Sequence, residues 1–335
     1  MQKKKANKWT WAIWVALAAV LLWLSMRAVD WAQFADALKQ CRWPWVILGM
    51  ALGLLVFWIR AARWHMQVRP LDPAVSKLDC FNAYNICMAV NLALPRVGEV
   101  VRCGYVVKHS EKGEDGQRKL SIEKALGTMV TDRVWDIVSI LVLAVIVAVF
   151  LWDRAGSFFK GELGDAVAGK LSMLWIAAAV IVLLGLFVFL VWKRRGRGGV
   201  WEKIWNVVIG TKDGLLSCLH MRRGWLFIVY TVLIWVIYWI MVYCCIKALG
   251  NMEAFAGLGL ADALFIMFAG AVSSIIPVPG GFGAYHAVVG GVLAGLCGVP
   301  FGVAMIFATL SHESQAIMQA LAGAVSYIWE SFFRK

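Results

Sequence analysis

The sequence Asn91-Leu-Ala-Leu-Pro-Arg-Val-Gly-Glu-Val-Val-Arg102 decides the fold of this chain. It places a proline, a glycine and three ionisable side chains, Arg96, Glu99 and Arg102, at the end of a mostly apolar run. On a helix this spacing lets Glu99 reach either arginine. One carboxylate cannot neutralise two guanidinium groups, so one positive charge is left to hold an anion. Inside a membrane such charges are functional by default. In a cytoplasmic loop they would simply face water, and the rest of the chain has to decide.

The composition indicates an integral membrane protein. Of the 335 residues, 61% are hydrophobic and the mean hydropathy is +0.74, whereas soluble domains are roughly 45–50% apolar. The long segments are helical in type, without the alternation expected of barrel strands, so we expect an all-α fold. Basic cytoplasmic loops and contact with anionic lipid explain the net charge of +13. No soluble domain presents a basic face, and we expect no nucleic-acid partner.

Short chemical motifs are missing from the sequence. Most of the eight cysteines lie within apolar runs, where cysteine behaves as a small hydrophobic residue. No cysteine pair has metal-ligand spacing, and no P-loop, nucleophile elbow or HExxH motif occurs. The sequence therefore predicts no disulfide, no metal, no cofactor and no enzymatic activity.

Hydropathy predicts about six membrane-spanning helices, because about 20 apolar residues are needed to cross the ~30 Å hydrocarbon core. The first apolar run is longer than the core of a signal peptide, and no small-residue cleavage site follows it, so we interpret it as a retained helix. The six segments are residues 9–29, 43–62, 125–152, 171–192, 224–246 and 301–329.

The distribution of lysine and arginine fixes the orientation. We set aside Arg27, Arg96, Arg102 and Arg133 as lying in or at the edge of the membrane. Of the remaining basic residues, 23 then lie on one side and six on the other. The richer side holds the N-terminus, the connection between the second and third helices, residues 193–223 and the C-terminus. The positive-inside rule makes this side cytoplasmic, which predicts an inner (cytoplasmic) membrane protein with both termini in the cytoplasm.

Residues 79–108 carry basic residues at both ends, so they must enter and leave the membrane on the cytoplasmic side. The sequence predicts a helix from Asp79 to Leu94, a break at Pro95 and a returning helix from Val97. Sixteen residues rise about 24 Å, which is past the midplane of the membrane. This stretch is therefore predicted to be a re-entrant helical hairpin.

Residues 262–299 predict a second re-entrant hairpin, inverted relative to the first. Residues 263–311 contain no charged side chain, and the flanking helices require entry and exit from the outside. Pro277 and Pro279 end the first half-helix. The alternative is a pair of short tilted helices joined by a loop at the surface. The glycines that permit positive φ and close backbone approach at this turn are Gly280, Gly281 and Gly283.

Two further sets of polar side chains lie in apolar segments. Asp132 and Asp136 share one helix face. They either orient the hairpin arginines and carry protons or a counter-cation, or form a structural ion pair with Arg133. His312 and Glu313 lie deep in the last helix, where they serve either ion coupling or packing. Two residues that follow the glycine turn are candidates for the same cavity: Tyr285 and His286.

Three motifs in this order resemble the flippase-like membrane domain at the N-terminus of lysylphosphatidylglycerol synthases. They are Leu94-Pro-Arg-x-Gly-Glu-x-x-Arg102, Asp132-Arg-x-x-Asp136 and Pro279-Gly-Gly-x-Gly283. The resemblance covers about residues 10–330 and implies lipid translocation, because synthase members flip an aminoacylated phosphatidylglycerol between leaflets. Other members are tied to polyprenyl-phosphate, hopanoid or glycolipid pathways. The chain resembles a stand-alone member without the aminoacyl-transferase domain, so synthase activity is not expected. Many relatives have a carboxylate where this chain has Tyr285 and His286, which leaves the substrate open.

We therefore expect residues 1–335 to form one polytopic membrane domain that acts as a lipid flippase. Its substrate would be an anionic phospholipid or a polyprenyl-phosphate-linked lipid, and a homo-oligomer is left open. One alternative is an intramembrane transferase or phosphatase that acts on a lipid phosphate; another is an accessory membrane subunit. The predicted substrate-binding residues are Arg96, Glu99, Arg102, Gly280, Gly281 and Gly283. The predicted coupling or supporting residues are Asp132, Arg133, Asp136, Tyr285, His286, His312 and Glu313.

Overall fold

The structure is a computed structural model that describes residues 31–113, 118–150, 193, 223–276 and 278–333. Apart from an isolated bridge between Lys112 and Arg118, none of these described residues is in β-structure. The chain divides into two compact units. The first contains the described residues up to Ala125 and those from Tyr230 onward, and the second is Leu126–Val229.

Ten α-helices lie within the described residues. They are α1 (Trp31–Gln40), α2 (Trp43–Val68), α3 (Lys77–Ala93), α4 (Val97–Lys108), α5 (Ile122–Phe150), α6 (Gly224–Ala248), α7 (Glu253–Ala256), α8 (Leu260–Ser273), α9 (Ala284–Cys297) and α10 (Phe301–Ile328). A 3₁₀ turn, Pro279–Gly281, precedes α9, and a π-helical turn, Trp329–Phe333, follows α10.

The predicted all-helical class is confirmed for the described part of the chain. Four of the six predicted spanning segments fall on α2, α5, α6 and α10, whereas segments 9–29 and 171–192 lie outside the described residues. α1 was not predicted, because its ten residues contain no long apolar run. Three described segments have the length and hydropathy to cross a membrane: Trp43–Val68, Gly224–Ala248 and Pro279–Cys297.

The predicted break at Pro95 divides α3 from α4. A capping box starts α3: the Ser76 hydroxyl accepts a hydrogen bond from the Asp79 N–H (3.1 Å), and the Asp79 carboxylate accepts one from the Ser76 N–H (2.8 Å). The helix ends before Pro95, and Arg96 reverses the chain in the left-handed conformation, with φ of 66°. α3 and α4 then pack against each other as a helical hairpin.

The second predicted interruption separates α8 from α9. α8 begins where the Asp262 carboxylate accepts a hydrogen bond from the Gly259 N–H (2.8 Å). Gly280, Gly281 and Gly283 have φ of 59°, 79° and 78°, the left-handed region that glycine adopts without strain. α8 and α9 pack against each other. The regular helix of α9 has 14 residues and rises about 21 Å, less than the ~30 Å hydrocarbon core.

α10 is the central helix of the first unit and packs on α2, α3 and α9. Gly323 permits the close approach to α3, because a Cβ atom at this position would lie 2.3 Å from the Cβ of Ala89. Nearby, the Asn85 side-chain amide donates a hydrogen bond to the Ser326 hydroxyl (2.9 Å). α10 therefore contacts both hairpins, through α3 of the first and α9 of the second.

The structure corrects the predicted end of α2. The helix continues to Val68, so Arg60 and Arg63, which were counted among the basic residues of the connection after this helix, are buried within it. Arg60 donates a hydrogen bond to the Tyr238 hydroxyl (3.1 Å), and Arg63 donates one to the Thr231 hydroxyl (3.3 Å). These partners on α6 keep two charged side chains of α2 inside the unit.

The end of α10 is fastened to the end of α4 through Glu330. Its carboxylate lies 2.6 Å from the Lys108 ammonium group and accepts a hydrogen bond from the Tyr105 hydroxyl (2.8 Å). His109 Nε2 lies 3.1 Å from the same carboxylate. The first hairpin is therefore held at its open end by polar contacts.

The polar sequence of residues 109–120 predicts a solvated loop, and the structure corrects this prediction. In its described residues, Ser110 and Leu120 are buried. Asp72 organises this region: one carboxylate oxygen accepts from the Ser110 hydroxyl and the Glu111 N–H (2.9 Å), and the other accepts from the Ala74 N–H (2.9 Å). The prediction of a solvated loop was wrong because these contacts join segments almost forty residues apart.

We expect Asp72→Asn to lower the free energy of unfolding by about 2–3 kcal/mol, because the amide nitrogen cannot accept hydrogen bonds from the buried donors. Burial favours the protonated acid, but the hydrogen bonds from Ser110, Ala74 and Glu111 outweigh it and hold the pKa of Asp72 below its ordinary value of 3.8. A lowered folded-state pKa stabilises the fold above pH 3.8, and this stabilisation is lost as the pH falls through the lowered value.

Thermal unfolding in detergent, measured from pH 7 down to pH 3, tests this expectation. The control is Asp36→Asn, which removes an exposed carboxylate paired with Lys39. The difference between wild type and Asp72→Asn should be largest at neutral pH and shrink at the acid end. An effect no larger than that of Asp36→Asn at pH 7 would contradict the role of Asp72.

Candidate functional site

The structure divides the three charged residues of the first hairpin into an exposed and a buried group. Arg96 is exposed at the tip, directly before α4. Arg102 has no exposed surface, and its Nε lies 3.0 Å from a carboxylate oxygen of Glu99. Of the two predicted pairings of Glu99, the one with Arg102 is therefore formed. Arg96 is left as the charge at the tip of the hairpin.

Aromatic side chains hold the buried guanidinium group. The centre of the Arg102 guanidinium lies 4.5 Å from the centroid of the Trp64 ring and 5.7 Å from that of Tyr84. Cation–π contacts of this kind stabilise a desolvated arginine by up to about 2 kcal/mol. An anion can reach Arg102 only if the packing of α4 on its neighbours opens.

A second group of polar side chains surrounds the glycine turn. His312 Nε2 lies 2.9 Å from the carbonyl oxygen of Gly280, and its Nδ1 lies 3.1 Å from a carboxylate oxygen of Glu313. A Cβ atom at Gly281 would lie 3.4 Å from His312 Nε2, so glycine here allows the ring to approach the backbone. The Phe282 ring covers the imidazole, with ring centroids 5.0 Å apart.

The residues after the turn belong to the same group. His286 is fully buried on α9, and its Nε2 lies 3.6 Å from the Glu313 carboxylate. The Tyr285 hydroxyl and the Ser311 hydroxyl lie 3.0 Å apart. The structure thus brings together Tyr285, His286, His312 and Glu313, which the sequence predicted as candidates for one cavity.

The glycine turn also touches the first hairpin. The turn packs against α3, and a Cβ atom at Gly280 would lie 3.2 Å from the carbonyl oxygen of Leu92. Leu92 lies three residues before Pro95, so the interrupted parts of the two hairpins meet. The backbone at Gly280 therefore contacts α3 and also accepts a hydrogen bond from His312.

The remaining predicted residues lie in the second unit. Asp132 and Asp136 are buried on α5. Arg133 donates a hydrogen bond to Asp136, with the nitrogen and oxygen 3.3 Å apart. The contact forms the predicted ion pair with Arg133, and whether these carboxylates also take part in coupling stays a prediction.

Sequence reasoning missed Trp64 and Asn91. Trp64 is fully buried beneath Arg102, and the Asn91 side chain accepts a hydrogen bond from the Gly98 N–H (2.9 Å), closing the hairpin. A helix-to-helix stacking contact has no sequence spacing that could reveal it. Asn91 is the first residue of the stretch Asn91–Arg102, and an asparagine four residues before Pro95 was a readable signal for a turn contact.

Comparison with known proteins agrees with the three motifs. Residues 11–323 match the family described as the lysylphosphatidylglycerol synthase TM region. The chain belongs to this family. The resemblance predicted from the motifs is confirmed, and the chain is a membrane protein. Membership in the lysylphosphatidylglycerol synthase TM region family is consistent with a lipid-related function.

A relative in the curated proteins is a UPF0104 membrane protein of Methanothermobacter thermautotrophicus. It is 25% identical over 211 residues, which are 62% of this chain and 55% of the relative. The chain thus aligns with just over half the length of this relative. No solved structure matches the chain.

Proposed function

We propose that this member of the lysylphosphatidylglycerol synthase TM region family moves the head group of an anionic lipid across the cytoplasmic membrane. The substrate class comprises anionic phospholipids and polyprenyl-phosphate-linked lipids. The observation that carries the proposal is the contact between the two interrupted hairpins, where Gly280 meets the Leu92 carbonyl. Many transporters build their substrate site where paired interrupted helices meet.

The proposed membrane arrangement has about six spanning helices, both termini in the cytoplasm and two re-entrant hairpins entering from opposite faces. Two observations support it. α3 has 17 residues and rises about 26 Å, short of the ~30 Å hydrocarbon core, and the regular helix of α9 rises about 21 Å and reaches the length of a crossing only together with the turn that starts at Pro279. The distribution of basic residues places the start of α3 and the end of α4 on the same side of the membrane.

Within this arrangement, Arg96 makes the first contact with the lipid phosphate, because its side chain is exposed at the hairpin tip and its guanidinium group suits a phosphate. Glu99 and Arg102 form the buried ion pair behind it and bind the phosphate when the hairpin opens. The Gly281 N–H already donates to the Val278 carbonyl oxygen (3.2 Å). Backbone donors for the phosphate therefore come from Gly280 and Gly283.

The experiment compares wild type with Arg96→Gln in proteoliposomes that contain fluorescent phosphatidylglycerol, with leaflet change read by quenching from outside. A parallel assay uses labelled polyprenyl phosphate. We expect Arg96→Gln to slow movement at least about ten-fold, because a charge-assisted hydrogen bond is worth about 1.5–3 kcal/mol. Arg96→Lys should retain part of the rate, since it keeps the charge but loses the planar fork.

The matched control is Lys77→Gln, which removes an exposed positive charge at the opposite end of the same hairpin. It should leave the rate within about two-fold of wild type, because it lies outside the proposed phosphate contact. Wild-type rates in Arg96→Gln, or equal losses in both variants, would rule out Arg96 as the substrate contact.

A second candidate function is an intramembrane enzyme that acts on a lipid phosphate. The observation that favours it is the clustering of His286, His312 and Glu313, which are residue types used in acid–base catalysis. Mass spectrometry of the lipid recovered from the same proteoliposomes separates the two functions. A new lipid product favours the enzyme, and an unchanged lipid in the opposite leaflet favours transport.

A further inference from the structure

Three side chains on α9 and α10 bring atoms that can bind a metal ion close together. The candidate ligand atoms of His286, His312 and Glu313 all lie within 4.8 Å of one another. His286 Nε2 lies 3.6 Å and His312 Nδ1 lies 3.1 Å from the same carboxylate oxygen of Glu313. Two imidazoles and a carboxylate form a ligand set that proteins use for zinc.

The hydrogen bond to Gly280 fixes the tautomer of His312. A carbonyl oxygen can only accept, so the hydrogen of the neutral ring must be on Nε2, which lies 2.9 Å from that oxygen. The lone pair of Nδ1 then faces the Glu313 carboxylate at 3.1 Å. Two lone pairs at this distance repel unless a proton or a metal ion lies between them, so the pair has room for a cation at this point. A histidine whose second nitrogen donates to a backbone carbonyl also has the usual outer-shell contact of a metal ligand.

His286 gives an independent indication. It is fully buried, and neither of its ring nitrogens has a hydrogen-bond partner within the part of the chain that the structure describes. Leaving a buried polar group without a partner costs about 1–3 kcal/mol. A metal bond to Nε2, the nitrogen that faces Glu313, would remove much of this cost.

The distances fit a four-coordinate ion. With zinc–nitrogen and zinc–oxygen bonds of about 2.0–2.1 Å, neighbouring ligand atoms in a tetrahedron are about 3.3 Å apart. The observed separations from Glu313 of 3.1 and 3.6 Å bracket this value. The widest separation in the group, at most 4.8 Å, exceeds it by about 1.5 Å. Both distances to Glu313 are shorter, so this widest separation is between the two imidazole nitrogens, and a rotation of the histidine rings has to close it when the ion binds.

We infer that His286, His312 and Glu313 form a binding site for a divalent transition metal ion, with zinc the best match to two nitrogens and one oxygen. Three protein ligands leave a fourth position for an oxygen ligand. The site goes beyond the proposed transport function and stands whether or not the protein moves lipid. The sequence did not reveal it because its ligands come from two helices, 26 residues or more apart.

The test uses the full-length protein in detergent, stripped with a chelator and then titrated with Zn²⁺ against a chromophoric competitor. Wild type should bind one zinc ion per chain. Co²⁺ in its place should give the intense visible absorption of a four-coordinate site. His286→Gln, His312→Gln and Glu313→Gln should each raise the zinc Kd by more than the about 10–100-fold typical of losing an outer-shell contact.

The matched control is His109→Gln, because His109 also faces a carboxylate, Glu330, at 3.1 Å but has no third ligand beside it among the described residues. Its Kd for zinc should equal that of wild type. Glu313→Gln keeps the shape of a partly exposed side chain, so it reports on the site even if a histidine variant fails to fold. Wild type binding well under one zinc ion per chain, or an unchanged Kd in Glu313→Gln, would overturn the proposal.

Discussion

Arg102→Met is expected to lower the free energy of unfolding by about 3–5 kcal/mol, the cost of breaking a buried ion pair by removing one partner. The guanidinium group has no exposed surface, lies 3.0 Å from the Glu99 carboxylate and stacks over Trp64. Methionine fills much of the space of the arginine side chain, so the lost free energy of unfolding comes mainly from the missing positive charge and not from a cavity. Chemical unfolding in detergent micelles, followed by tryptophan fluorescence, measures the effect.

A double-mutant cycle with Glu99→Gln isolates the ion pair. We expect the double variant to be more stable than Arg102→Met alone, because it no longer buries the Glu99 charge. The control is Arg42→Met, which removes an exposed arginine bonded to Asn251 and should cost no more than about 1 kcal/mol. An Arg102→Met effect as small as that of Arg42→Met would contradict the buried environment of Arg102.

The same variants distinguish the contribution of Arg102 to stability from its proposed role in binding the lipid phosphate. A double variant that folds but moves lipid far more slowly than wild type would indicate that Arg102 also contacts the phosphate. A double variant that folds and moves lipid at the wild-type rate would assign Arg102 to stability alone. Arg96 would then be the arginine that contacts the head group.

The helix interruptions could be predicted from the sequence because they depend on local chemistry. Proline has no N–H to donate and excludes the helical conformation at the residue before it, so Pro95 ended α3 in the structure as it did in the prediction. At Gly280 and Gly281 the backbone takes positive φ, which few other residues tolerate. Such constraints act within a few residues and can be read without knowing the fold.

The side-chain environments could not be predicted because they depend on contacts between distant segments. In the sequence, Arg60 and Arg63 count among the basic residues of the connection between the second and third helices, but partners on α6, almost 170 residues or more away, keep them buried. His286 and His312 are on different helices, and only the packing of α9 on α10 brings them together. Charge pattern and spacing along one helix cannot reveal contacts of this kind.

Gly98→Ala is expected to destabilise the protein by about 3 kcal/mol or more, above the usual cost of overpacking, because the first hairpin closes directly on this glycine. A Cβ atom at Gly98 would lie 2.1 Å from the carbonyl oxygen of Cys87 and 2.7 Å from Asn91 Oδ1. The carbonyl belongs to the backbone of α3 and cannot rotate away. The Gly98 N–H also donates to Asn91 (2.9 Å), so separating the helices would break that hydrogen bond.

Gly104→Ala is the matched control, since Gly104 lies on the same helix and a Cβ atom there would meet no atom of the described residues within 4 Å. Alanine should stabilise α4 at this position by about 0.5–1 kcal/mol, because it restricts the unfolded chain. The two substitutions therefore have opposite expected signs on one helix, and their unfolding midpoints in the same detergent compare them directly. If both substitutions stabilised the protein, α3 and α4 could not be packed as closely at the Pro95 turn as they are in the structure. The position of this end of α3, and with it the contact between Gly280 and Leu92, would then be in error.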